Sequence, residues 1–89
     1  MARIAFTRHL EGIGPPGQCA YPGATLGEVL EAVVADYPRL KAYVLDDQGR
    51  LRKHVCIFAD GQRLHRDATL NHPIKPNSDV YVMQALSGG

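Results

Sequence analysis

The chain has 89 residues, 45% of them hydrophobic and 21% charged, and a formal net charge of +1, a composition that fits one ordinary globular domain. A chain this short buries only about 60 to 65% of its unfolded surface, enough for a single core. Near-neutral charge speaks against a protein that tracks nucleic-acid phosphates, and no apolar run approaches the roughly 18 residues needed to span a bilayer.

No basic segment followed by an apolar stretch opens the sequence, so no secretory signal is expected and the cytoplasm is the expected compartment. Cys19 and Cys56 lie far apart without C-x-x-C spacing and are read as free thiols.

Taken in chain order, "RIAFTRHL" places Ile4 and Phe6, with Leu10 beyond them, on one side and Ala5, Thr7 and His9 on the other, the alternation of a half-buried strand. "EGIGPPG" breaks it, and a short "QCAY" segment follows as a second strand. Thr25 stands three residues before Glu28, the reciprocal side-chain pattern that satisfies free amides at a helix start. Leu26, Val29, Leu30, Val33 and Tyr37 then form an apolar stripe at helical spacing, and Pro38 ends the helix.

Leu40 and Val44 anchor a short irregular or helical turn, and Asp47, Gln48 and Gly49 make a reversal. "HVCIFADGQRL" reads as a hairpin about Asp60 and Gly61, which tolerate the positive backbone angles of a tight two-residue turn. "DVYVMQ" supplies the last strand, Val80 and Val82 facing one way and Tyr81 and Met83 the other. One amphipathic helix laid across one face of a mixed sheet buries all these stripes, which makes the fold class α+β.

The helix "TLGEVLEAVVADYPRL", the segment "LDDQGRLRKHVCIFADG", the stretch "PIKPNSDVYVMQAL" and the closing "SGG" together resemble the ThiS/MoaD family of ubiquitin-like sulfur carriers over nearly the whole chain. The resemblance implies a β-grasp fold with a mixed sheet of four to five strands, its first and last strands parallel at the centre. It divides the chain into a β-grasp domain over 1–84 and a flexible Gly-Gly tail over 85–89. Relatives often carry Asn at the position of Cys56, Gly at that of Ser78 and Pro at that of Gln84.

The family's chemistry accounts for the tail. An α-carboxylate has a reference pKa of about 3.3 to 3.7, so at neutral pH the carboxylate of Gly89 is an anion that no sulfur nucleophile attacks unaided. The resemblance implies a ubiquitin-activating-type adenylyltransferase and sulfurtransferase that uses ATP and a sulfur donor to convert it to a thiocarboxylate, with a biosynthetic enzyme as acceptor. Leu86, Ser87 and Gly88 are then the residues by which the tail is recognised. Glycines lack the Cβ that would obstruct a narrow channel, and the five residues from Ala85 to Gly89 reach roughly 15 to 18 Å when extended. No G-x-x-x-x-G-K-[ST] loop holds ATP, so the chain is expected to be a monomeric co-substrate with no bound cofactor, not an enzyme.

Within the family, "GRLRKHVCIF" looks closest to carriers that feed cysteine or other amino-acid sulfur. A carrier for another, specialised sulfur metabolite, a ubiquitin-like modifier joined to lysines through Gly89, the small subunit of molybdopterin synthase and an interaction domain with an inert tail are the alternatives.

Strand parity selects a partner face. If Val55 and Ile57 point to the core, Cys56 and Phe58 point out, and Tyr81 and Met83 point out with them. Such a face is either ordinary scattered surface or a docking surface. Arg50, Arg52, Lys53, His54, Arg63, His65 and Arg66 make the middle of the chain locally basic, as solvated surface or for an acidic partner. His54 and Cys56 fall at i and i+2 on one expected strand face, too few ligands for a structural metal site, so no metal is expected.

Overall fold

In a computed structural model, residues 1–10, 12–64 and 70–84 are described. They form strand β1 (Ala2–Phe6), a 3-10 turn at Arg8–Leu10, strand β2 (Cys19–Tyr21), helix α1 (Leu26–Asp36), helix α2 (Leu40–Val44), strand β3 (Val55–Ala59), strand β4 (Gln62–Arg63) and strand β5 (Asp79–Gln84). The strands make one sheet in the order β2-β1-β5-β3-β4. β1 and β5 run parallel at its centre, and the remaining neighbours are antiparallel.

Helix α1 begins where its cap chemistry places it. The Thr25 hydroxyl accepts from the Glu28 N–H, while the Glu28 carboxylate reaches back to the N–H of Ala24, one residue before the cap. Two amides that a helix start leaves free are thereby satisfied. Gly23 packs against this start at φ +154°, where a Cβ would lie 2.7 Å from the Val29 N and Cγ2 atoms. At the other end Tyr37, preceding Pro38, leaves the helical region at φ −129° and ψ 73°, as the clash with a following proline ring demands.

The stripe Leu26, Val29, Leu30 and Val33 is buried against the inner face of the sheet, where Ala2, Ile4, Phe6, Val55, Ile57, Ala59, Val80 and Val82 meet it. Each Leu, Ile, Val or Phe among them contributes about 1.5 to 3 kcal/mol by leaving water. Tyr37 is only half-buried. Its carbonyl accepts from the Leu40 N–H of α2 at 3.0 Å, and Leu40 and Val44 of that helix are both in the core. The carbonyls of Ala42 and Leu45 at the end of α2 are capped by the Arg52 guanidinium, at 2.8 and 3.1 Å.

The first strand is shorter than its alternation suggests. It ends at Phe6, because the chain turns at Thr7 and the Leu10 N–H donates to the Thr7 carbonyl at 2.8 Å. Leu10 still reaches the core, carried there by the turn. His54 likewise lies in a turn before β3, so it does not share a strand face with Cys56. Among the described residues no three His, Cys, Asp or Glu side chains come together as a metal site would need. None of the described helices is long and apolar enough to cross a membrane.

The β3–β4 hairpin turns through Asp60 at φ 52° and Gly61 at φ 82°, the paired positive angles that match the twist of the flanking strands. Parallel first and last strands, the sheet order and a helix across one face define the ubiquitin-like β-grasp fold.

Candidate functional site

Strand parity lays out the open face of the sheet. In β3 and β5 every second residue is buried, Val55, Ile57 and Ala59 in one and Val80 and Val82 in the other. The residues between them point away from α1. Cys56 lies opposite Met83, and Phe58 opposite Tyr81, which has Ala5 of β1 on its other side. Such directly opposed side chains are in contact range. Tyr81 and Met83 are 39% and 38% exposed, whereas Cys56 and Phe58 are half-buried beneath the rim. All four sequence-predicted face residues therefore belong to one apolar patch.

Charge is confined to the margins of that patch. On β4, Arg63 stands opposite Phe58 and its guanidinium donates to the Cys56 sulfur at 3.3 Å. At the far end Arg3 and Asp79 form an ion pair at 2.7 Å, both side chains being half in water. Beside β3 opens a hollow of about 450 Å³ lined by Leu51, Val55, Ile57 and Leu64 together with Lys53 and Arg63. Of the basic residues singled out in the sequence, Arg52 is engaged in capping α2, and His65 and Arg66 lie outside the described residues.

Two anchors locate β5, and neither has a local sequence signature. At its start the Asp60 carboxylate accepts from the Asp79 N–H at 2.9 Å and from the Ser78 hydroxyl at 3.1 Å. These bonds, the backbone amide first and the hydroxyl second, hold the Asp60 carboxyl below the ordinary carboxylate range. At its end the Gln84 N–H donates to the Thr7 hydroxyl at 3.0 Å, and the Gln84 side-chain amide donates to the Tyr43 carbonyl at 3.2 Å.

Gln84 is the last described residue, and Leu86, Ser87, Gly88 and Gly89, the predicted tail-recognition and reaction residues, lie outside the described ones. Thr7, Tyr43, Asp60 and Ser78 are not among the site residues the sequence suggests. Of these only Ser78 departs from the family pattern, as Gln84 and Cys56 also do, and the structure gives each of those three a partner: Asp60 for Ser78, Thr7 and Tyr43 for Gln84, and Arg63 for Cys56.

The sheet order, the helix across one face and the anchored final strand place the chain in the class of ubiquitin-like β-grasp folds. No family model matches the chain. Among curated proteins it is similar to small archaeal modifier protein 1 of Haloferax volcanii, 29% identical over 66 residues that span 74% of this chain and 71% of that one. The crystal structure of that type of modifier from H. volcanii superposes with a TM-score of 0.80 at 22% identity, over 99% of this chain and 98% of the other.

A chain of the BexX/CysO complex of Amycolatopsis orientalis matches with a TM-score of 0.87 at 17% identity, over the full length of both. CysO of Mycobacterium tuberculosis matches at 0.84 and 20%, over 97% of this chain and 100% of that one. These likenesses establish the ubiquitin-like β-grasp fold, and they fall among the relatives to which the sequence resemblance pointed.

Proposed function

We propose that the chain is a ubiquitin-like sulfur carrier. Its Gly89 carboxylate is adenylated by an activating enzyme of ubiquitin-activating type, and sulfur displaces AMP to leave a thiocarboxylate that a biosynthetic enzyme consumes. ATP and the sulfur donor belong to the activating partner, and the reaction takes place in the cytoplasm. Cysteine or a related amino acid is the proposed destination of the sulfur. The apolar face of Phe58, Tyr81, Met83 and Cys56 is the proposed contact with the activating enzyme, and Leu86, Ser87 and Gly88 guide the tail into its site.

The observation that carries this reading is the full-length likeness to the chain of the BexX/CysO complex and to CysO. Beside that likeness, this chain's own sequence carries Ser87-Gly88-Gly89 a few residues after β5. The similarity to a small archaeal modifier protein favours a second reading, in which Gly89 is joined to lysines of target proteins. Both begin with the same activation.

The test is to incubate the full chain with ATP, a sulfide source and the cognate activating enzyme, and to read its intact mass. Replacement of one carboxylate oxygen by sulfur is expected. Loss of the acyl-adenylate to lysines, with isopeptide remnants on other proteins and no sulfur-loaded chain, favours the modifier instead.

A further inference from the structure

Gln84 is held from three directions at the point where the described fold ends. On one flank β1 has run out, since its pairing with β5 stops at Phe6 opposite Val82 and the chain turns away at Thr7. The Thr7 hydroxyl fills the next rung. It accepts from the Gln84 N–H at 3.0 Å and donates its own proton to the Val82 carbonyl at 3.0 Å. On the other flank Gln84 is opposite Val55 of β3. Its side-chain amide crosses to the Tyr43 carbonyl of α2 at 3.2 Å.

A strand end whose neighbour departs ordinarily frays, because its last backbone groups lose their ladder partners. Here a β-branched side chain, stiff at χ1, stands in for the missing backbone carbonyl. We propose that Thr7 and Gln84 form a root clamp, a pair of positioning residues that hold the end of β5 to the body, so that the activating enzyme meets the carrier with this strand end already ordered.

This inference rests on the carrier reading. Its energetic logic is that of a pre-organised ligand. If only a fraction of the carrier has its tail root ordered, the apparent affinity of the enzyme for the carrier falls by that fraction. The chemistry after docking is unaltered. The clamp therefore acts on the KM for the carrier and leaves kcat alone.

Thr7→Val keeps the branched shape but neither donates nor accepts. The Val82 carbonyl retains the bond from the residue 7 backbone N–H, which is 2.9 Å long, while the Gln84 N–H loses its hydroxyl acceptor. A hydrogen bond of this kind changes the ordering equilibrium by about 3- to 10-fold, so the carrier KM in sulfur loading should rise, by up to that factor, at unchanged kcat. Thr7→Ser, which restores the hydroxyl, should return the KM to within about twofold of wild type. Gln84→Met removes the bond to the Tyr43 carbonyl while keeping the backbone bond to Thr7, and should give a smaller rise.

The experiment measures initial rates of sulfur loading against carrier concentration for the four proteins, with amide hydrogen exchange at Gln84 alongside. Raised KM, constant kcat, rescue by serine and faster Gln84 exchange in Thr7→Val support the clamp. An unchanged KM in Thr7→Val, or a fall in kcat alone, overturns it while the carrier reading stands. Failure of the wild-type chain to be loaded at any concentration overturns the carrier reading, and the positioning role with it.

Discussion

The Asp60 carboxylate spends both its oxygens on the start of β5, one on the Asp79 N–H and one on the Ser78 hydroxyl. Both donors favour the charged form, so the folded-state pKa lies below the ordinary 3.8. For a depressed carboxylate the linked stability is fully present above the unfolded value and is lost as pH falls through the folded one. Asp60→Asn keeps a residue that tolerates the positive φ of this turn but cannot carry the charge. Wild type should therefore melt above the variant at neutral pH, and the gap should close as pH drops below 3.8. Melting curves of both proteins between neutral and strongly acidic pH check this, and their difference removes the contribution of Asp46, whose carboxyl is also held low by the Arg50 and Gln48 amides. A gap that is the same at all pH values would mean the charge is not what the turn uses.

At the scale of elements, the inward and outward alternation of β3 and β5 leads to a test of the open face. Met83 is more than a third exposed, so Met83→Asp should shift stability by no more than about 0.5 kcal/mol. A charge placed in the middle of an apolar contact should weaken binding to the activating enzyme by about tenfold or more. Phe58→Asp should weaken it similarly, with a further loss of about 1 kcal/mol of stability because Phe58 is half-buried. Titration calorimetry with the activating enzyme and thermal melts separate the two effects, and normal binding by a folded Met83→Asp would remove this face from the contact. The same alternation explains what was legible in the sequence. Periods of two and 3.6 residues are local, so the faces of β3 and β5, the stripe of α1 and its Thr25 cap could all be read directly. The bond from Gln84 to Thr7 joins residues 77 apart in sequence, and that from Asp79 to Asp60 joins residues 19 apart. Neither spacing leaves a local pattern, and so the anchors of the final strand went unread. The early end of β1 had the same cause, since the Thr7 side chain continues the ladder after the backbone has turned.

For the whole molecule, sheet order and chain order together decide how the last strand is held. With β1 and β5 parallel at the centre, the last strand is paired on both sides, and its buried residues, Val80 and Val82, lie in the middle of the core. The core formed by the described residues closes at Val82. Removing Gly89 should leave the melting temperature unchanged within about a degree, since a terminal residue without a side chain contributes little stability. Reactivity should respond in the opposite way. In-line attack on the α-phosphate of ATP requires the carboxylate oxygen within near-attack distance, and a misplacement of about 1 Å costs roughly 100-fold in rate. Deletion of one residue withdraws the carboxylate by about 3.5 Å. The anchored root prevents the body from making up that distance by releasing the end of β5, because Gln84 is tied to both Thr7 and Tyr43. Gly89-deleted protein should therefore fold normally, dock through the open face with wild-type affinity and show no sulfur-loaded species by intact mass. Replacing Gly88 by Val should do the same at full length, because a β-branched residue restricts the backbone where a narrow channel needs freedom. Sulfur loading of the deleted chain at the wild-type rate would separate the fold from the proposed chemistry and leave the β-grasp body as an interaction domain.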